Sequence, residues 1–297
     1  HYRSHSFPTR RSSDLSISGI IVGTTVAAHP GVFDLAIFSL ALGTTLGLQI
    51  LSNFANDYGD GVKGTDNEER IGPARALQSG LITRQEMKQG MIITAVVTLL
   101  LAILLIYAAF GSENLGYALL FFALGVGAII AAIKYTVGTS AYGYKGLGDL
   151  FVFIFFGIVA VYGSYFLYAK SLEWLVLLPA VSIGFLSMGV LNLNNMRDRL
   201  PDKKAGKITL AVILGGKISK AYHYSLIIGA IASLVFYSIL SLDGWEDFLY
   251  VPVFIPLIQH LIRVVDNEEP ALLDPELKVL ALSTFALALL FGLGQIL

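Results

Sequence analysis

The chain has 297 residues, of which 55% are hydrophobic and only 14% charged, with a formal net charge of −1. Soluble domains carry about 25% charged residues, so this balance excludes an ordinary soluble domain and indicates a polytopic membrane protein. The chain has no cysteine, which excludes disulfides, thiolate metal sites and cysteine nucleophiles. The net charge itself says nothing about partners; no nucleic acid and no protein partner is expected, and the distribution of charge carries the information.

The first fifteen residues, HYRSHSFPTRRSSDL, form neither a signal peptide nor a helix pattern. They resemble a translated sequencing adapter and are expected to be a non-native leader, with one membrane domain over residues 16–297. Nine apolar segments follow: Ile17–Ala28, Leu35–Ala55, Met91–Phe110, Tyr117–Ile133, Leu150–Ala169, Trp174–Leu193, Tyr224–Leu242, Phe248–Val265 and Leu277–Leu297. Most approach the roughly 20 residues that span a bilayer as helix. They lack the polar–apolar alternation of a membrane β-barrel. The predicted fold class is therefore all-α, a nine-helix transmembrane bundle.

Local signals punctuate these helices. Thr83-Arg84-Gln85-Glu86 reads as a capping box opening the third. Asp274-Pro275 reads as N-cap and first helical residue of the ninth. Pro201 disfavours helix at Leu200, so the sixth helix is expected to end there and Asp202 to come from a turn.

Lys and Arg concentrate in loops 2–3, 4–5, 6–7 and 8–9, whereas the alternate loops between helices hold only Lys170. By the positive-inside rule the cation-rich loops face the cytoplasm. Four crossings separate helices two and six, so the polar stretches that follow them share that face.

Those stretches hold the candidate chemistry. Asn53, Asn56, Asp57 and Asp60 share one helical face over two turns, and Asp66 follows beyond Gly59, Gly61 and Gly64. Asn194, Asn195, Asp198 and Asp202 form a second group. Crowded carboxylates repel unless a cation lies between them, and ionisable residues at the end of a membrane segment are usually functional. Mg²⁺ takes oxygen ligands and bridges carboxylates to phosphate oxygens. Arg70, Arg75, Arg197, Lys203, Lys204 and Lys207 are candidate diphosphate contacts; each serves equally well as a topology-setting charge. Tyr135, Tyr142, Tyr144 and Lys145 in loop 4–5 belong either to an interfacial belt or to a pocket wall whose rings stabilise a cation. Asp149 reads as a helix-start residue. His29, His223 and His260 are isolated in sequence and receive no role.

Four motifs carry a family resemblance: NDYGDGVKGTD at Asn56–Asp66, RIGPARALQSG at Arg70–Gly80, YKGLGDLFVFIFFG at Tyr144–Gly157 and NNMRDRLPDKKAGKITLAVILG at Asn194–Gly215. The chain resembles the UbiA superfamily of intramembrane prenyltransferases, and within it the menaquinone-pathway branch that acts on 1,4-dihydroxy-2-naphthoate. The resemblance implies a nine-helix bundle around a cytoplasm-facing cavity, with Mg²⁺ holding a polyprenyl diphosphate between two Asp-rich motifs. It assigns metal and diphosphate contact to Asn53, Asn56, Asp57, Asp60, Asp198 and Asp202, with Arg75, Lys145 and Lys207 as phosphate or substrate contacts. Asn194 joins the diphosphate set from its own spacing. Gly64 stands where the commoner family pattern has its last acid. The expected reaction is prenylation of the ring with loss of CO₂. Two alternatives stay open: another aromatic acceptor such as 4-hydroxybenzoate, and a divalent-cation transporter with acids in mid-membrane.

Overall fold

The computed structural model describes residues 9–28, 32–65, 75–241 and 244–297, with side chains from Asp14 onward. All nine predicted segments are helices, labelled here α1 Thr9–Ala27, α2 Leu35–Lys63, α3 Arg84–Phe110, α4 Leu115–Lys134, α5 Gly148–Ala169, α6 Trp174–Arg197, α7 Leu210–Leu240, α8 Trp245–Asp266 and α9 Pro270–Ile296. Eight are long and apolar enough to cross a membrane, and the apolar part of α1, Asp14–Ala27, is shorter. Among the described residues the one strand-like feature is an isolated parallel bridge between Lys145 and Ile208.

Helix α6 sits at the centre, packed on α5, α7 and α9, while α1 fills the space between α9, α2 and α5. Ala180, Ile183, Leu186 and Leu193 of α6 are fully buried. By contrast α3 and α4 form the periphery and expose Ile92, Ile93, Val96, Leu100, Leu119 and Leu120. Apolar side chains facing outward on membrane-length helices are solvated by lipid tails, so their exposure costs nothing there. The protein is thus an integral, multi-pass membrane protein.

The helix ends show where local sequence decides. The Thr83 capping box is present: Glu86 N–H donates to Thr83 Oγ1 (3.2 Å) and Thr83 N–H to Glu86 Oε2 (2.8 Å). Gly64 ends α2 in the left-handed region (φ 73°), a conformation glycine adopts without steric cost. That accounts for glycine where the family pattern carries an acid.

Four expectations need correction. The first fifteen residues, read as showing no helix pattern, are helical from Thr9, where α1 begins, and Leu15 is buried. Asp274 is not the cap of α9. That helix opens with a short 3₁₀ turn at Pro270–Leu272, and Leu272 holds the cap position. Asp274 lies inside the first turn, its carboxylate available to another helix. The break after α6 falls at Asp198 rather than Leu200, and a short helix Arg199–Lys204 carries Asp202. Pro201 fits there because first-turn N–H groups have no intrahelical partner to lose. Finally, His223 and His260 are not isolated. Their Nε2 atoms lie 2.8 Å apart, and Glu276 Oε2 lies 2.6 Å from His260 Nδ1. Glu276 therefore takes the Nδ1–H of His260, whose Nε2 accepts from His223. His29 lies outside the described residues.

Candidate active site

Helices α1–α6 and α9 surround a cavity of about 1010 Å³, largely apolar, with Phe121, Phe151, Phe155 and Phe156 on its wall. Its polar rim is formed by Asn53 and Asn56 of α2, Asn194 and Arg197 of α6, and Arg75 of the loop after α2. The carboxylates predicted to share a face with the asparagines divide the work. Asn53 and Asn56 line the cavity, whereas Asp57 and Asp60 hold the loops around its mouth.

Asp57 receives two backbone N–H groups, from Ala76 (3.0 Å) and Leu77 (3.3 Å). It thereby fixes the turn that carries Arg75 and Gln78. Asp60, almost fully buried, accepts from the Tyr144 hydroxyl at 2.7 Å and faces Arg75 and Lys207, each at 3.5 Å. Lys207 also stands 4.0 Å from Asp202. One ammonium therefore joins acids from two stretches far apart in sequence. The Ile208 N–H donates to Tyr144 O (3.3 Å), which clamps loop 4–5 against the same segment. The two acidic stretches lie at one end of the bundle, as the crossing count predicted.

The second acidic group is held by Arg197. Its guanidinium grips Asp198 in bidentate fashion (Nε to Oδ1 2.9 Å, Nη2 to Oδ2 2.6 Å), donates to Asn194 Oδ1 (2.8 Å), and reaches Asp274 of α9 (2.6 Å). Arginine's planar fork suits such multiple acceptance. The side chain is only 3% exposed.

Around Asp60 the loop residues form a tight cluster. Lys63 donates to Thr136 O (2.8 Å) and lies over the Tyr144 ring at 3.8 Å. Thr136 Oγ1 reaches Ala55 O (2.7 Å) and Asn56 Oδ1 (3.3 Å). Burial, with the negative charge of Asp60 added, pushes the Tyr144 phenol above its ordinary value, so it remains a neutral donor. Tyr135 and Tyr142 line the cavity, with ring centroids 5.3 Å apart. Tyr142 stacks on Phe151 at 3.9 Å. Burial raises both phenols, so these rings also stay uncharged. Of the two readings of loop 4–5, Tyr135 and Tyr142 therefore form a pocket wall.

Lys145 is not drawn into this constellation: its side chain is exposed, and among the described residues it has no ion pair. Lys203 and Lys204 are exposed too. Asp149, in the first turn of α5, accepts from the Tyr222 hydroxyl at 3.2 Å. Asp66 and Arg70 lie outside the described residues. Sequence reading missed Tyr144 as a partner of Asp60 and Asp274 as a partner of Arg197. It also missed Lys278 of α9, which lines the cavity. No spacing rule links such distant positions.

The oxygen-rich donor set of Asn53, Asn56, Asp57, Asp60, Asn194, Asp198 and Asp202, with no thiol in the chain, fits a hard divalent cation in its chemistry. Among the described residues, however, no three Asp, Glu or His side chains are grouped as a metal cluster. Asp60, Asp198 and Asp202 are matched instead by Arg75, Arg197 and Lys207, and Asp57 by two backbone N–H groups.

An all-helical membrane bundle with a largely apolar chamber and an acid-and-base rim at one end defines an integral membrane protein with a cavity for an amphiphilic guest. The chain belongs to the UbiA prenyltransferase family, whose model matches residues 16–282. It is similar to 1,4-dihydroxy-2-naphthoate octaprenyltransferase of Haemophilus influenzae, 41% identical over 94% of this chain and 91% of that protein. The Escherichia coli protein of the same name is 43% identical over 94% of this chain and 90% of its own length. In fold it is similar to a UbiA homolog from Aeropyrum pernix K1 (TM-score 0.72, 17% identity, 96% of this chain and 97% of that one). A UbiA homolog from Archaeoglobus fulgidus, solved with DMAPP and Mg²⁺, matches with a TM-score of 0.62 and 17% identity over 95% of this chain and 96% of that one. The transporter alternative needs acids in mid-membrane; the acids here stand at helix ends.

Proposed function

We propose that this chain transfers a polyprenyl group from polyprenyl diphosphate to 1,4-dihydroxy-2-naphthoate, with loss of CO₂, in menaquinone biosynthesis. The observation that carries the site is Lys207, which faces Asp60 and Asp202 together beside the asparagine-lined mouth of the apolar cavity. The shared name of relatives 41% and 43% identical over 94% of this chain favours the naphthoate acceptor over 4-hydroxybenzoate. The Lys and Arg distribution favours a mouth on the cytoplasmic face of the cell membrane.

Mg²⁺ held by oxygens of Asn53, Asp57, Asp60, Asp198 and Asp202 would, when bound, neutralise the diphosphate as a leaving group. The chain supplies the rest. Arg75 and Lys207 present cations at the rim where phosphate oxygens would lie. The prenyl tail rests along the apolar wall, which excludes water from the allylic carbon. As the allylic C–O bond breaks, its electron pair leaves with the diphosphate. The neutral rings of Tyr135 and Tyr142 face the positive charge that develops. The ring carbon bearing the carboxylate supplies the electrons of the new C–C bond. Departure of CO₂ returns an electron pair to the ring, so no proton need leave that carbon.

The test is an assay on membranes with a polyprenyl diphosphate and a panel of aromatic acids, one of them the naphthoate labelled in its carboxyl carbon. Expected are labelled CO₂ and prenylated product from the naphthoate, and a steep loss of rate at limiting Mg²⁺ for Asp57→Asn and Asp198→Asn. Turnover of 4-hydroxybenzoate alone would overturn the choice of acceptor. Full activity of both variants at limiting Mg²⁺ would overturn the site.

A further inference from the structure

Three cations line the cavity: Arg75, Arg197 and Lys278. Two are engaged by carboxylates, Arg75 by Asp60 and Arg197 by Asp198 and Asp274. Lys278 has no ion pair or side-chain hydrogen bond among the described residues, and its side chain is exposed to the cavity. Asp14, the acid among the cavity-lining residues, has interactions of its own. Lys278 stands one turn of α9 beyond Asp274, the residue that holds Arg197. Four residues of helix rise about 6 Å, so the backbone of Lys278 lies about one turn deeper along α9 than Asp274, on the wall beside the acidic mouth. Leu277, Ala281 and Leu282 continue that wall, and Asn194 faces the cavity from α6.

The two substrates differ in what they ask of such a site. The diphosphate is served at the mouth by Arg75 and Lys207. The aromatic acceptor brings a second negative group, a carboxylate on a flat apolar ring, into a largely apolar space. A buried carboxylate is tolerated only with a partner, and Lys278 is the cavity-lining cation not already matched by a carboxylate among the described residues. We infer that Lys278 anchors the carboxylate of the aromatic acceptor and so selects acids over neutral naphthols. This rests on the functional reading above. The ring then lies between α9 and α6, its edge toward the mouth.

The reaction fixes the sign of the effect. The carboxylate carries its charge in the ground state and leaves as neutral CO₂, so the contact with Lys278 weakens as the reaction proceeds. A contact stronger in the ground state than in the transition state lowers KM and kcat together, so its loss raises KM and does not lower kcat. Lys278 is thus a binding residue. Its loss is felt in KM for the acceptor.

The test compares wild type, Lys278→Met and Lys278→Arg in membranes, with KM measured for each substrate. It adds inhibition by 1-hydroxy-2-naphthoate and by its neutral carboxamide. Lys278→Met is expected to raise the acceptor KM about tenfold, the size of a charge-assisted hydrogen bond. KM for the polyprenyl diphosphate should hold, and kcat should not fall. The preference for carboxylate over carboxamide inhibitor should vanish in Lys278→Met and persist in Lys278→Arg. An unchanged acceptor KM, or a rise confined to the diphosphate, would overturn the inference. Should Lys278→Met lower the amount of folded protein, the carboxylate-to-carboxamide ratio remains a measure independent of yield. If the wild type turns over no naphthoate acid, the functional reading has failed; if it does and Lys278→Met matches it, only the role of Lys278 has failed.

Discussion

Arg197 shows how one side chain can carry a whole corner of the protein. It is 3% exposed and holds Asp198, Asn194 and Asp274 at once. A buried ion pair adds little net stability, but removing one partner strands the other. Arg197→Met is therefore expected to destabilise the protein by about 3 kcal/mol, read as a lower Tm in detergent. Asp274→Asn, which keeps the hydrogen-bonding shape, should cost much less. The residues of this corner were visible in the sequence, since Asn194, Arg197 and Asp198 stand within one turn. The bond to Asp274 was not. A DP pair before an apolar run looks like a cap, and only the packing of α9 on α6 gives that carboxylate a different task. The same holds for Tyr144, whose bond to Asp60 joins residues far apart in the chain.

At the scale of elements, the contact between α2 and the turn after α4 sets the geometry of the first acidic stretch. A methyl group at Gly59 would lie 2.6 Å from Thr136 Cβ and 2.7 Å from its backbone carbon. Helix and turn touch there without room for a side chain. Gly59→Ala should cost about 2 kcal/mol through overpacking. Because Asp57 and Asp60 flank this position, it should also raise KM for the diphosphate. Thermal unfolding and substrate titration of the same preparation check both. Element positions were legible from hydrophobic runs; element ends were legible only where a local signal acts, as at Thr83. Helix α7 begins well before the apolar segment that announced it: a short piece opens at Leu210 and, past a kink at Gly215 (φ 75°), the main helix continues. Lys217 and Lys220 on its first turns hid it from a count of apolar residues. Lys220 there closes the end of α8, donating to Val265 O at 2.9 Å. The sequence offered it only as a topological charge.

For the whole molecule, the pairing of Lys207 with Asp60 and Asp202 requires both long polar loops to lie on one side of the membrane. The natural lack of cysteine makes this directly measurable. Ser79→Cys and Lys203→Cys should react with an impermeant maleimide only from the cytoplasmic side, and Glu113→Cys and Ser171→Cys only from the other. Labelling of Ser79→Cys and Lys203→Cys from opposite sides would contradict the arrangement. The common side followed from counting crossings, a property of the chain as a whole.

The ion pairs at the rim have one more consequence. With Asp60 already facing Arg75 and Lys207, and Asp198 already gripped by Arg197, the entrance is electrically settled before any guest arrives. A bare metal ion gains little by displacing a guanidinium, and a bare anion gains little by competing with a carboxylate. A guest that brings both signs together lets each resident swap its neighbour for an equivalent one. Metal and anion are thus expected to bind the doorway more tightly together than either does alone, which titration of each and of the pair would check.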